Sequence, residues 1–143
     1  MLIDNNHVNE KLINDLFYGY SSSTNLFETK GFFFVEFSII HKNIFGARYL
    51  EKDRKPSNIN PYIFHDDCLL KYSFVTTRTK TNLNVQILVN ESVIENIYLD
   101  DQNQKYDNLN IYLNKTNELS CLINTQNKIE NISIYFVCSF IAS

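Results

Sequence analysis

Apolar and polar positions alternate along the chain from Leu69 onward. Leu70, Tyr72, Phe74 and Thr76 share one face, and Leu83, Val85, Ile87 and Val89 form the next inward row. Val93 to Leu99 reads as a further strand. Leu109, Ile111 and Leu113 follow, then Leu119, Cys121 and Ile123, and finally Ile132, Ile134, Phe136, Cys138 and Phe140. A period of two marks strands with one face turned to a core. Polar stretches at Thr77–Asn82, Asn90–Ser92, Asp100–Asp107, Asn114–Glu118 and Asn124–Lys128 read as the turns between them. Short strands with regular turn signals are the signature of an all-β sandwich or barrel. No helical pattern interrupts residues 69–143, which excludes βαβ crossovers and a parallel sheet there. The expected fold is an antiparallel β-sandwich over 25–143, preceded by a short N-terminal helix and linker over 1–24.

That helix is predicted over residues 5–18. Asn5 or Asn6 caps it, and Val8, Leu12, Ile13, Leu16 and Phe17 recur on one face. So short a helix is marginal alone and needs a partner surface, either the domain itself or another subunit. Gly19 and Ser21 to Ser23 then mark a loop. Gly31 to Ile40, GFFFVEFSII, is short, aromatic and rich in β-formers, and is expected as a strand buried on both faces. Residues 43–67 hold Gly46, Pro56, Pro61 and the charged stretch Glu51–Lys55, and read as a long connection with one short strand near Ala47–Leu50.

Charge and cysteines narrow the setting. The net charge of -3 argues against non-specific nucleic-acid binding and against a polybasic membrane anchor. No run approaches the roughly 18 apolar residues of a membrane span. Met1 to Glu10 lacks the basic start and apolar centre of a signal peptide. Cys68, Cys121 and Cys138 form no CxxC pair, and their odd number with apolar neighbours points to buried free thiols. These features suit synthesis in a reducing cytoplasm, followed by display on a virion or extracellular assembly. Only three glycines are present, so Asn must serve at turns, because it tolerates left-handed backbone. The bias to Asn, Ile, Lys and Tyr follows AT-rich codons and fits a low-GC bacterium, phage or virus.

The second half resembles the tumour-necrosis-factor-like and complement-globular-head-like jelly rolls found at the tips of phage fibres and bacterial surface filaments. KYSFVTTRT (71–79) is similar to the family's long strand. LNVQILVNESVIENI (83–97) resembles its hairpin, with Asn90-Glu91 where Asn-Gly is frequent. IYLNKTNELSCLI (111–123) resembles its L-x-x-G-D-x-L step, with Asn117-Glu118 in place of Gly-Asp, and ISIYFVCSFIAS (132–143) its closing strand. The resemblance implies a jelly-roll topology and a homotrimer with the closing strands near the axis. In such a trimer Phe32, Phe33 and Phe34 become candidates for subunit contact.

Catalytic chemistry finds little support. His65-Asp66-Asp67-Cys68 is the densest set of potential ligands, but neighbours on a strand point to opposite faces, so at most two reach one ion. Asp100, Asp101 and Asp107 lack the spacing of a calcium loop. There is no nucleophile elbow, P-loop or dinucleotide fingerprint. No cofactor is expected, and the chain is read as a non-enzyme. The one basic cluster, Arg48, Lys52, Arg54 and Lys55, lies with Tyr49 and Tyr62 in the long connection and is the candidate ligand loop for a host glycan, a receptor or an acidic partner. The expected function is a structural or attachment subunit of a virion, phage particle or surface filament. Self-association would use the sandwich, and docking would use Val8, Leu12, Leu16 and Phe17. A carbohydrate-binding module with loop tyrosines as stacking platforms is the alternative.

Overall fold

The alternating half of the chain forms strands longer than its polar interruptions suggest. In the computed structural model, which describes residues 31–40 and 42–141, β6 runs unbroken over Cys68–Val89 and β7 over Ser92–Leu113. They form one antiparallel ribbon closed by a tight turn at Asn90 and Glu91. β8 covers Glu118–Ile129 and β9 Ile132–Phe140. β1 spans Phe32–Ile39. The connection after it holds β2 (Ile44–Tyr49), β3 (Glu51–Lys52), β4 (Lys55–Pro56) and β5 (Tyr62–Ile63). The helix predicted over 5–18, with Val8, Leu12, Leu16 and Phe17, lies outside the described residues.

All pairings are antiparallel and join into one sheet that folds over on itself as a sandwich. The fold-over happens within β6. Its first half pairs with β9 from Cys68 to Thr77, and its second half pairs with β8 from Leu83 to Val89. One layer therefore runs β7–β6–β8–β2, with β5 added on the β2 side of β8. The other runs β7–β6–β9–β1–β3–β4. Between them lies the core, with Phe37, Ile39, Phe64, Leu70, Val75, Val85, Ile87, Cys121, Ile123, Ile134 and Phe136 all buried. Phe37 and Phe136 meet edge to face at 6.1 Å, the arrangement their ring quadrupoles favour.

Three sequence expectations change. Thr77–Asn82 and Asp100–Asp107 are not turns: the ribbon continues through them and bends, with register shifts between Thr76 and Thr81 and between Thr81 and Leu83. Polar side chains suit the bend because Arg78, Thr79 and Lys80 are exposed where the ribbon crosses between layers. Thr77 Oγ1 donates to the Thr79 carbonyl at 2.7 Å, and the Asp101 N–H donates to Asn82 Oδ1 at 2.6 Å. Asn124–Lys128 likewise stays within β8, and the true turn follows Ile129. The long connection holds four short strands rather than the one expected near Ala47–Leu50. Ser57 anchors it: its hydroxyl donates to the Cys121 carbonyl and accepts the Cys121 N–H, both at 3.2 Å.

The third change concerns which side chains face inward. A bulge between Leu70 and Tyr72 shifts β6 by one residue against both neighbours. Such a slip moves every later side chain to the opposite face. Leu70 and Val75 are core residues, whereas Tyr72, Phe74 and Thr76 turn outward with Phe34, Val137 and Tyr135 on the adjoining strands.

Candidate functional site

The three cysteines are free and buried, as their apolar settings suggested. Burial pushes the Cys121 thiol well up. A hydrogen bond shared with Cys68, and then burial, push the Cys138 thiol up. None is presented as a nucleophile, which must be an accessible thiolate. His65, Asp66 and Asp67 are exposed and Cys68 is turned into the core. Asp67 Oδ1 is occupied by the Lys115 N–H at 2.8 Å. Among the described residues no group of His, Cys, Asp and Glu could hold a metal ion.

The ligand-loop candidates do not converge. Arg48 is exposed on β2 opposite Ile123, and half-buried Tyr49 sits opposite Leu122. Lys52 and Arg54 belong to the β3–β4 hairpin, where Lys52 Nζ pairs with Asp53 Oδ2 at 3.2 Å. Beside it Lys42 Nζ pairs with Glu51 Oε2 at 2.8 Å, so carboxylates are interleaved with the cations. Tyr62 takes no part in this group. It packs with Phe64 at 4.9 Å and Phe33 at 6.1 Å. Of the aromatic run, Phe33 turns inward to Phe64 and Phe140, whereas Phe32 and Phe34 lie on the outward face.

That outward face of the β6–β9–β1 layer joins Phe32 and Phe34 to residues of β6 and β9 that the alternation had turned inward or left unassigned. Cross-strand rows place Phe34 beside Val137 and Val137 beside Tyr72, then Glu36 beside Tyr135 and Tyr135 beside Phe74. Tyr72 stacks on Tyr106 at 5.4 Å and Phe74 on Tyr135 at 6.2 Å. Lys71 Nζ lies over the Phe32 ring at 5.7 Å, within cation–π range. Phe74 and Val137, at 8% and 3% exposed, are as buried as core residues although they point away from the core. Burial raises Glu36 above the usual carboxylate range. Burial, with Tyr72 alongside, pushes Tyr106 up to about 12. The sequence signal was there: β1, β6 and β9 carry apolar residues at both parities, which marks a layer covered on both sides.

The opposite outward face, on β7–β6–β8, is its chemical contrast. Asn84, Gln86, Asn96 and Asn124 stand on adjoining strands, with Tyr98 beside Asn84. Asn84 Nδ2 and Gln86 Nε2 both donate to Asn96 Oδ1 at 3.3 Å. The polar half of the alternation predicted an outward row here, and its signal was that amides dominate the row, with Asp100 beside them.

No model of a protein family matches the chain, and no curated protein matches it. Solved structures do share its fold. A chain from the acid-stable capsid of Helicobacter pylori bacteriophage KHP30 overlays with a TM-score of 0.51 at 9% identity, covering 79% of this chain and 90% of its own. A Bacillus endospore appendage pilin gives a TM-score of 0.41 at 9% identity, covering 78% and 86%. The carbohydrate-binding module CBM36, solved with calcium and xylotriose, gives 0.46 at 10% identity, covering 76% and 99%. At 9% identity the capsid overlay speaks to fold alone, and the two overlays with TM-scores below 0.5 carry no argument. Among the described residues no helix is long and apolar enough to cross a membrane.

Proposed function

We propose that this chain is a non-enzymatic structural or attachment subunit of a virion, phage particle or surface filament. On this reading the sandwich is of jelly-roll type, and copies of the chain pack through the outward face of the β6–β9–β1 layer into a homotrimer. The observation that carries it is that face: Phe32, Phe34, Tyr72, Phe74, Tyr135 and Val137 form an apolar surface on the side turned away from the core. Phe32, Phe34, Tyr72 and Tyr135 are half-buried there and Phe74 and Val137 buried, and antiparallel sheets commonly keep an uncovered outer face polar, so an apolar one is built to be covered. Aromatic side chains contribute strongly to protein interfaces, and strand register sets these side by side. On the same reading Val8, Leu12, Leu16 and Phe17, expected from their spacing to share a helix face, supply a second apolar element for docking. A chain of a phage capsid carries a sandwich of the same kind, which supports an assembly role.

The mass of the full-length protein in solution tests the proposal. The monomer is 16.8 kDa, and sedimentation at micromolar concentration should show three times that mass. Replacing Phe32 and Phe34 together by Ser, with the strand spectrum retained, should shift the mass to that of the monomer. A wild-type protein that sediments as a clean monomer at that concentration rules the proposal out.

A further inference from the structure

The amide surface on the β7–β6–β8–β2 layer has the make-up of a binding site. A trough of about 510 Å³ opens on it, lined by Asn82, Asn84, Tyr98, Asp100, Asn124 and Gln126 among others. Among the described residues no Lys or Arg lines it. Tyr98 is 59% exposed and stands on the outward side of β7 between the core-facing Ile97 and Leu99. Across the layer the edge strand β2 carries Phe45, 65% exposed, and Ala47, whose small side chain stands opposite Asn124. Strands in a sheet lie about 4.8 Å apart, so the surface from β7 to β2 is about 14 Å wide. It is polar in the middle and has an aromatic ring on each flanking strand.

Hydrogen-bonding capacity narrows the ligand. A primary amide offers two donors and an acceptor with two lone pairs. Asn84 and Gln86 each commit one donor to Asn96, and Asn124 and Gln126 make no side-chain hydrogen bond to the described residues. Unused donors and acceptors therefore alternate across the trough. A phosphate or nucleic acid needs cations, and the lining has none. A lipid or apolar peptide would leave the amides unpaired and desolvated, at about 1–3 kcal/mol for each. A ligand whose hydroxyls both donate and accept, and whose ring faces are apolar, satisfies both the amides and Tyr98.

We propose that this trough is a binding site for a neutral oligosaccharide, with Tyr98 as the stacking face, Asn84 and Asn124 as the hydrogen-bonding floor and Asp100 as an acceptor for paired hydroxyls at its rim. It differs from the loop of Arg48, Lys52 and Arg54, whose charge would suit an anionic glycan. It is open and shallow, so single-site binding is weak, and an assembled particle would gain from repeating it. The inference does not rest on the assembly reading, because one exposed trough is complete within one chain.

The full-length protein is titrated with four neutral probes (cello-, xylo-, manno- and chito-oligosaccharides) and with a heparin-derived oligosaccharide as the charged control. Binding is followed by ligand-observed NMR up to millimolar concentration. At least one neutral probe should bind. Tyr98→Ala should weaken that binding at least about tenfold, close to 1.4 kcal/mol, and Asn84→Ala with Asn124→Ala should do so independently. Tyr112→Ala, at an exposed tyrosine outside the trough, should leave binding unchanged. Absence of binding to all neutral probes overturns the inference, as does binding of the heparin probe alone or neutral binding untouched by Tyr98→Ala. The mass in solution does not enter this test, so the two proposals fail separately.

Discussion

A glycine-poor chain must place other residues where backbone torsions are left-handed. Outside Gly46, positive φ falls on Asp53, Arg54, Asn90, Glu91, Asp101, Asn110 and Thr116. Asn90 and Glu91 at φ 51 and 68 form a two-residue turn of the kind that matches strand twist, and Asp53 with Arg54 at 53 and 65 repeats it. Asn suits the position, but Glu and the β-branched Thr116, at φ 75, do not. Left-handed backbone costs an L-residue about 1–2 kcal/mol, and glycine returns about 0.5–1 kcal/mol of that in folding entropy. Glu91→Gly and Thr116→Gly should therefore each stabilise the fold by about 0.5–1 kcal/mol, read as a higher urea midpoint at unchanged slope. A lower midpoint would mean that these side chains make contacts the turn depends on. Glu36 offers the opposite lever. Its pKa is raised in the folded state by burial, so its contribution is present below the ordinary carboxylate value of 4.5 and is lost as pH rises through the folded value. Glu36→Gln should leave stability at pH 4 almost unchanged and increase it at pH 7. The gain should stay below about 1 kcal/mol, because water still screens the carboxylate. Equal midpoint shifts at both pH values would remove the titration as the cause.

At the scale of elements, the polar breaks in the sequence were the least legible feature. Thr77–Asn82 and Asp100–Asp107 have the composition of turns because a ribbon that bends between layers exposes its backbone much as a turn does. What distinguishes them is hydrogen bonding to the partner strand, which composition does not encode. The bulge at Leu70 and Tyr72 was equally silent: it inverted the inward face of β6, and alternation reads the same on either side of a one-residue slip. Regular alternation was legible where it was apolar, as Leu119, Cys121 and Ile123 in the first half of β8 and Ile132, Ile134 and Phe136 on β9 show. The candidate site was only partly legible: Asn84 and Tyr98 face each other across one hairpin, but only the register of β6 with the distant β8 brings Asn124 beside them. The bend leaves a mark that can be measured. Thr81 is buried there, and its hydroxyl has no hydrogen-bond partner. An unpaired buried hydroxyl costs about 1–3 kcal/mol, and valine has nearly the same shape. Thr81→Val should stabilise the protein by about 1 kcal/mol in thermal or urea unfolding, whereas a loss would mean that the hydroxyl is hydrated in the bend.

For the whole molecule, the decisive property is that two layers enclose one core while presenting unlike outer faces, aromatic on β6–β9–β1 and amide-rich on β7–β6–β8. On the proposed assembly reading, such a chain engages a neighbour through one face and keeps the other free, and both depend on the layers staying closed. The three thiols report on that closure. Cys68 and Cys138 lie between β6 and β9, and Cys121 on β8 faces them across the core, each fully buried. A thiol so placed reacts only when the sandwich opens, and domains of this size are stable by about 5–15 kcal/mol. At 1.4 kcal/mol per factor of ten, alkylation of the native protein should run at least about a thousandfold slower than in denaturant. Because Cys121 sits in one layer and the other two in the opposite layer, the three should be modified together, as one cooperative opening exposes all of them. Mass spectrometry during slow labelling distinguishes the cases. Unmodified and triply modified protein in coexistence is the expected pattern. A long-lived species modified at Cys121 alone would show that the β7–β6–β8–β2 layer opens independently, and that the ribbon of β6 and β7 does not bind the two layers into one folding unit.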